Sequence, residues 1–372
     1  MSVTSLVPDL EPIVRAFSLP GELGAARSHG SGHINDTFAV TCTEGGRRRR
    51  YLLQRINDRV FRDVPALMAN IERVTRHAGE RARGQPDAAR RALTLVPARD
   101  GVPYHRDGDG GWWRCYDFIE GACSYDLVRT PEQAAAAARA FGEFQRLLVD
   151  LPGGRLHETI LAFHHTRRRF EALQRAVLAD VAGRASAARA EIAFALEREP
   201  LADALHRLQS AGEIPERVTH NDAKFNNVML DEATHAALCV VDLDTVMPGL
   251  ALHDFGDLVR SATNAAAEDE RSLDRVQARP EIFRALAEGY LATAGSFLRP
   301  AEIAHLVLGG IVITFEQGVR FLTDHLAGDA YYKVRHPGHN LERAASQFAL
   351  VRSLERQRAV FENWVQEIAA RV

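Results

Sequence analysis

Cysteine is scarce in this chain of 372 residues, and the four present (Cys42, Cys115, Cys123 and Cys239) fall at no metal-ligand spacing. That excludes a zinc module and a disulfide scaffold, and leaves reduced thiols in a cytoplasmic setting as the expectation. The first residues carry no basic-then-apolar leader, and no apolar run approaches bilayer-spanning length, so a soluble protein with no membrane partner is expected. Neither sign of charge dominates: the formal net charge is −3, with acidic and basic residues interleaved. A nucleic-acid partner or an anionic membrane would call for a basic stripe, which is missing. The longest basic run, Arg47–Arg50 after Glu44-Gly45-Gly46, reads as a solvated hairpin tip entering a strand. Internal repeats are absent as well, and alanine-rich Ala134–Ala138 reflects helix propensity, not low complexity. What remains is a globular chain, 46% hydrophobic and long enough for two lobes. A small-molecule partner is expected, with the chain a monomer or weak homodimer.

Strand signals fill the first third. Leu10–Phe17 is a short helix candidate ended by Pro20-Gly21. Gly30-Ser31-Gly32-His33 then turns into a strand from Ile34 to Val40, and Tyr51–Ile56 forms the next. A helix over Val64–His77 has Pro65 at its start and an apolar stripe of Leu67, Met68, Ile71 and Val74, with Glu72 near its edge. Two further strands, Ala92–Pro97 and Trp112–Ile119, flank a hairpin at 107–111, and the chain leaves the sheet through Tyr116–Gly121. Beyond Thr130, which caps a helix opening on Pro131 and Glu132, the pattern is helical over 131–149, 157–180, 185–210, 280–296, 300–325 and 340–370. Strands with one helix followed by helices give an α+β fold in two lobes, 1–121 and 122–372.

Inside the helical part lies the stretch Val218–Asp257. His220-x-Asp222-x₄-Asn227 opens it, the apolar runs Val228–Leu230 and Ala236–Val241 flank a polar turn, and Asp242-Leu243-Asp244 follows. Two strands and a turn form a hairpin that brings Asp222, Asn227 and Asp242 to one end. Phosphoryl transfer needs this inventory: a carboxylate to take a hydroxyl proton, and an amide and a carboxylate to hold Mg²⁺ on phosphates. Asp and Asn also cluster in ordinary turns, and Asp231 is read that way. Asp222 and Asp242 abut apolar strand ends instead, where an unpartnered carboxylate is costly. The glycine-bearing turn Gly30–Asn35 can point amides at a phosphate. His164-His165 offers no metal site.

A strand lobe with a glycine loop, a connector, and a helical lobe carrying HxDx₄N…D resembles the protein-kinase-like fold. It is more similar to the aminoglycoside phosphotransferase and choline kinase group than to protein kinases: no DFG stands at Asp242, and Asp254 follows too soon for an activation loop. The resemblance narrows to bacterial N-acetylhexosamine 1-kinases on Gly32–Asn35, Leu53-Gln54, Tyr116–Tyr125, Thr219–Asp222, Asp242–Gly249, Asp254–Asp257 and Arg320–Leu322, spread over about residues 24–350.

That resemblance implies ATP and Mg²⁺ as cofactors, with Asp222 as catalytic base and Asn227 and Asp242 as metal ligands beside Asp244. It places Gly30, Ser31, Gly32, His33 and Asn35 over the phosphates. It puts the backbone of Asp117 and Ile119 on adenine, and Glu72 where the fold's helix-borne glutamate belongs. The strand that normally offers a lysine reads Leu53-Gln54-Arg55; either Gln54 or Arg55 faces the cleft, since adjacent strand residues point opposite ways. His220 is read as structural and Asp254 as a buried brace of the catalytic loop. Arg320 is either a sugar contact or half of an ion pair on its helix. The function implied is transfer of phosphate to the anomeric hydroxyl of an N-acetylhexosamine. The rivals are a kinase of another small alcohol, a catalytically silent nucleotide-binding module, and a metal-dependent hydrolase.

Overall fold

The computed structural model describes residues 9–30 and 34–372. The N-terminal part holds helix α1 (Glu11–Ala16), strands β1 (Glu22–Ser28), β2 (Asp36–Glu44) and β3 (Arg47–Ile56), helix α2 (Val64–Ala82), and strands β4 (Leu95–Val96), β5 (His105–Arg106) and β6 (Trp112–Asp117). They form one antiparallel sheet in the order β1-β2-β3-β6-β4, with β5 pairing β6. The β2–β3 hairpin turns on Gly45 and Gly46, both at positive φ, and Arg47 enters the strand directly. Alternation along β3 divides the sheet's faces. Tyr51 and Leu53 join Phe38, Val40, Trp113 and Cys115 in a core against α1, while Leu52 and Ile56 face α2 and the helical lobe.

The helical part continues through β7 (Ala122–Cys123), α3 (Pro131–Leu147), α4 (Thr166–Ala179), α5 (Arg189–Glu197) and α6 (Leu201–Ser210). The catalytic stretch supplies β8 (Arg217–Thr219), β9 (Val228–Asp231), β10 (Ala237–Val240), β11 (Met247–Gly249) and α7 (Ala251–Ala262). Helices α8 (Pro280–Ala294), α9 (Pro300–Ala304), α10 (Leu306–Leu326) and α11 (His339–Ala369) complete it. Helices α3 and α8 pack as a pair, as do α10 with α7 and with α11. One continuous core runs from α2 through the catalytic hairpin into these helices.

The expected elements are found, with four differences. Residues 157–165 are irregular, not helical, because their polar groups bind α2, α10 and the catalytic loop. The span 185–210 is two helices, since Pro200 cannot continue the first. Strands β1 and β7, the β8–β11 pair and α7 have no counterpart in the pattern reading, although α7 is amphipathic by sequence and buried over most of its length. Finally, α10 is long and apolar enough to cross a membrane, contrary to the expectation that no stretch would be. Yet 83% of its most apolar window is buried inside the protein, which makes it the central helix of the lobe.

Candidate active site

The β8–β11 pair fixes the entry to the catalytic loop, with Thr219 opposite Met247 and Arg217 opposite Gly249. Gly249 has no room for a side chain: a Cβ there would lie 2.2 Å from Thr219 Oγ1 and 2.4 Å from Asn221 Oδ1. Asn221 adopts φ +63°, a left-handed conformation that asparagine tolerates. Its side-chain amide donates to the carbonyls of Thr219 and Thr245 at 3.2 and 3.0 Å. Asp254, fully buried on α7, accepts the His220 amide at 2.9 Å, the Asn221 amide at 2.7 Å and Gln145 Nε2 at 2.6 Å. Burial nonetheless pushes its carboxyl above the ordinary range. The loop before Asp222 is thus held from both sides.

His220 does structural work. Its Nε2 donates to the Val241 carbonyl at 2.9 Å and its Nδ1 accepts the Asp222 amide at 3.3 Å. The Val241 amide in turn donates to the Asn227 carbonyl at 2.9 Å. These bonds bring Asp222, Asn227 and Asp242 to one end of the β9–β10 hairpin, the convergence expected from spacing. At the other end Asp231 accepts the Ala233 and Thr234 amides at 3.1 and 2.8 Å, closing the turn.

Around Asp222 the charges are ordered. Asn227 Nδ2 donates to the Asp222 carbonyl at 2.8 Å and to Oδ2 at 3.2 Å, which turns the Asn227 side-chain oxygen away as a remaining acceptor. Lys224, one of only two lysines in the sequence, places Nζ 3.0 Å from Asp222 Oδ2. Burial works to raise the Asp222 carboxyl, but the neighbouring Lys224 above all holds the group below its usual value. Asp222 is therefore ionised at neutral pH, fit to orient a hydroxyl and to take its proton as transfer proceeds.

Asp242 sits at φ +60° and has no hydrogen-bond or ion-pair partner among the described residues. Desolvation by the surrounding protein, then Asp244 and Asp222, push its carboxyl up to about 6. Asp244, expected beside the metal, has both oxygens engaged. Oδ1 pairs with the Arg114 guanidinium, and Oδ2 accepts Asn35 Nδ2 at 2.6 Å. Asn35 also accepts the Asn57 amide at 3.0 Å, so the exit of the glycine turn is tied to the end of β3 and to the catalytic lobe. Gly30 lies at φ +78°; Ser31, Gly32 and His33 lie outside the described residues.

Three expectations for the sheet lobe come out differently or more sharply. Glu72 is exposed on α2 with Arg76 at 3.8 Å, and it does not reach the cleft. The edge of the apolar stripe is its solvent side. The α2 side chain that hydrogen-bonds to the stretch Val218–Asp257 is Asn70, fully buried, donating to the His157 and Val246 carbonyls at 2.8 and 3.1 Å and accepting the His157 amide at 3.0 Å. A polar residue beside Ile71 and Leu67 was the available signal. Of the two β3 candidates, Gln54 faces the helical lobe, bound to Thr37 Oγ1 at 3.0 Å and to Arg114 Nε at 2.9 Å. Arg55 faces away, over the Trp113 ring. At the connector, the Asp117 amide is engaged by the Thr94 carbonyl at 2.9 Å, so that donor is not free for adenine.

The other wall of the cleft is α10. Arg320 is half-buried, bonded to Gln317 Oε1 at 3.3 Å, with the Phe163 and Tyr332 rings 5.2 and 5.8 Å from its guanidinium. It has no ion pair among the described residues, so the helix-pair alternative does not hold. Burial opposes its charge, and Tyr332, Glu316 and also Asp222 support it; the Asp222 carboxylate and this guanidinium share one field. One turn earlier Glu316 accepts from His164 Nδ1 at 2.8 Å and from Thr166 Oγ1 at 2.7 Å, while His164 Nε2 meets the Asn221 carbonyl at 2.8 Å. With an acceptor at each nitrogen, His164 must donate from both, as an imidazolium. Burial would lower its pKa, but Glu316 and the Asn221 carbonyl raise it overall.

A strand lobe over a helical lobe, with an ionised aspartate, an asparagine and a crowded second carboxylate between them, defines a kinase-like phosphotransferase. The phosphotransferase enzyme family model matches residues 25–296, and the chain belongs to that family. Among solved structures it is similar in fold to an aminoglycoside phosphotransferase from Alicyclobacillus acidocaldarius, at 16% identity and TM-score 0.58, covering 100% of this chain and 98% of that one. A choline kinase from Cryptosporidium parvum matches at 12% identity and TM-score 0.55, over 92% and 91% of the two chains. A spectinomycin phosphotransferase solved with ADP and spectinomycin matches at 12% identity and TM-score 0.51, over 97% and 96%.

Proposed function

We propose that this chain is an ATP- and Mg²⁺-dependent kinase of the anomeric hydroxyl of an N-acetylhexosamine, N-acetylglucosamine or N-acetylgalactosamine, forming the sugar 1-phosphate. The observation that carries the substrate side is Arg320: a guanidinium with no carboxylate partner among the described residues, between two aromatic rings and in the field of Asp222. It offers donors to an oxygen-rich neutral substrate and repels a cationic one. A kinase of a cationic alcohol such as choline or an aminoglycoside shares the catalytic half of the site but would call for an acidic or open aromatic pocket there.

Asp222 accepts the sugar hydroxyl and holds it toward the γ-phosphate, and Lys224 keeps that carboxylate ionised and fixed. The donor set suits Mg²⁺, which needs one or two carboxylate or amide oxygens and completes its shell with phosphate and water. Asp242 and the free oxygen of Asn227 would hold it, and when bound it neutralises charge on the phosphates. The test is an ADP-release screen across hexoses, N-acetylhexosamines, choline and aminoglycosides. Turnover should appear with N-acetylhexosamines and vanish with their methyl glycosides, which lack only the anomeric hydroxyl. Asp222→Asn should lower it on the order of 10²–10⁴-fold, the worth of a positioned base. ADP release with the methyl glycoside would overturn the 1-kinase reading.

A further inference from the structure

In this site β3 supplies no lysine to the cleft, and the Gln54 side chain that stands in that direction is uncharged. Directly opposite Gln54 across the β3–β6 ladder is Arg114. Its side chain is 1% exposed. A guanidinium buried to that degree is costly and persists only with compensating partners. Those partners are Gln54 Oε1 on Nε at 2.9 Å, Asp244 Oδ1 on Nη1, and the Tyr116 ring at 5.5 Å. Asp244 takes it end-on, because the second Asp244 oxygen belongs to Asn35 at the exit of the glycine turn. The fork that would close on both oxygens of one carboxylate is therefore left open. Asp242 lies close enough to add to its charge stabilisation. Other cations near the site are placed elsewhere: Lys224 on Asp222, Arg260 on Asp257, Arg55 on the far face of the sheet, Arg320 on α10.

We propose that Arg114 is the residue of the sheet lobe that binds the nucleotide's phosphates, with Gln54 and Asp244 holding its guanidinium in place. This rests on the reading of the site as a nucleoside-triphosphate phosphotransferase. The phosphate-facing cation has moved one strand along the sheet, from β3 to β6. Its carboxylate partner comes from the loop after Asp242 instead of from α2, which is why Glu72 is free to face solvent. Asn35 and Arg114 meet on one carboxylate, so Asn35 and the cation are placed together before a nucleotide arrives.

The experiment is calorimetric titration of wild type, Arg114→Lys, Arg114→Gln and the double variant Arg114→Gln/Asp244→Asn with ADP and with adenosine, each with and without Mg²⁺. The double variant removes both charges of the buried pair, so it folds where the single neutral variant leaves Asp244 unpaired. Loss of one charge-assisted phosphate contact should weaken ADP binding about 10- to 100-fold in both glutamine variants, less in the lysine variant, and leave adenosine unchanged. ADP binding at wild-type strength by the folded double variant would make Arg114 a strut between lobes and overturn the proposal. A parallel loss of adenosine binding would do the same, since it would show general collapse of the cleft. Wild type that bound neither ligand would overturn the phosphotransferase reading itself, and this inference with it.

Discussion

Replacing Asp254 by asparagine changes one atom's chemistry and tests how the catalytic loop is held. The carboxylate receives His220 N and Gln145 Nε2 on one oxygen and Asn221 N on the other. An asparagine has one acceptor oxygen. If that oxygen keeps Asn221, its NH₂ faces the His220 amide, donor against donor, while Gln145 can answer by flipping. One backbone hydrogen bond to a charged acceptor is lost and one buried N–H is left without an acceptor. Bonds to charged groups are worth about 1.5–3 kcal/mol and an orphaned buried donor costs about 1–3, so a loss of about 2–4 kcal/mol is expected. Domains of this kind have about 5–15 kcal/mol to lose, so the variant should still fold. The residues that move are those immediately before Asp222, so kcat should fall at least tenfold with a smaller effect on nucleotide KM. Urea denaturation read by fluorescence gives the stability change, and ADP release gives the rate. A stability change under 1 kcal/mol with unchanged kcat would refute the brace. A fall beyond about 10⁴-fold in a fully stable variant would refute it differently, by placing the carboxylate in the chemistry.

Asn70→Leu removes the buried polar bridge from α2 to Val246 and leaves the His157 amide and carbonyl and the Val246 carbonyl unpaired. It should cost about 2–4 kcal/mol by urea denaturation, whereas Glu72→Ala should cost nothing measurable. The His164–Glu316 pair should set a pH window for stability. The raised His164 pKa contributes fully below the ordinary histidine value of 6.5 and is lost as pH rises through the higher folded value. Glu316, lowered to about 2 although burial opposes it, contributes above the ordinary 4.5 and is lost as pH falls toward 2. Thermal unfolding from pH 3 to 9 should therefore decline on both sides in wild type, and both declines should become shallower in His164→Gln and in Glu316→Gln, because each partner causes the other's shift.

Much of this was legible because the catalytic stretch combines two independent signals. Spacing places Asp222, Asn227 and Asp242 on one hairpin, and the apolar runs around them say which end is buried. Residues that act through tertiary contact gave no such signal. Arg114 sits in Trp112-Trp113-Arg114-Cys115-Tyr116, where a charge inside an apolar strand marks something unusual but does not name Asp244 as its partner. His164 looked like half of an uninformative histidine pair. Its role appears only once α10 brings Glu316 and the catalytic loop brings the Asn221 carbonyl. Glu72 was misplaced because a residue at the stripe's edge can face either side, and packing against the helical lobe selected Asn70.

The distribution of charge in the cleft follows one rule. Of the three aspartates that converge there, two are matched by a cation from the chain itself: Asp222 by Lys224, and Asp244 by Arg114. Asp242 alone is unmatched among the described residues, and its carboxyl is correspondingly driven up to about 6 by desolvation and by its two neighbours. Asp242 is exposed to the cleft, yet the surrounding protein and two like charges oppose its ionisation in the resting state. The same deficit suits a site that must accept a cation with its substrate. If Asp242 were already paired, a divalent ion would first have to displace the partner. If Asp222 were unpaired, the ion would compete with the sugar hydroxyl for the base. In the proposed reaction, matching Asp222 and Asp244 while leaving the third carboxylate open would direct a metal to Asp242 and Asn227 and keep Asp222 available for the acceptor.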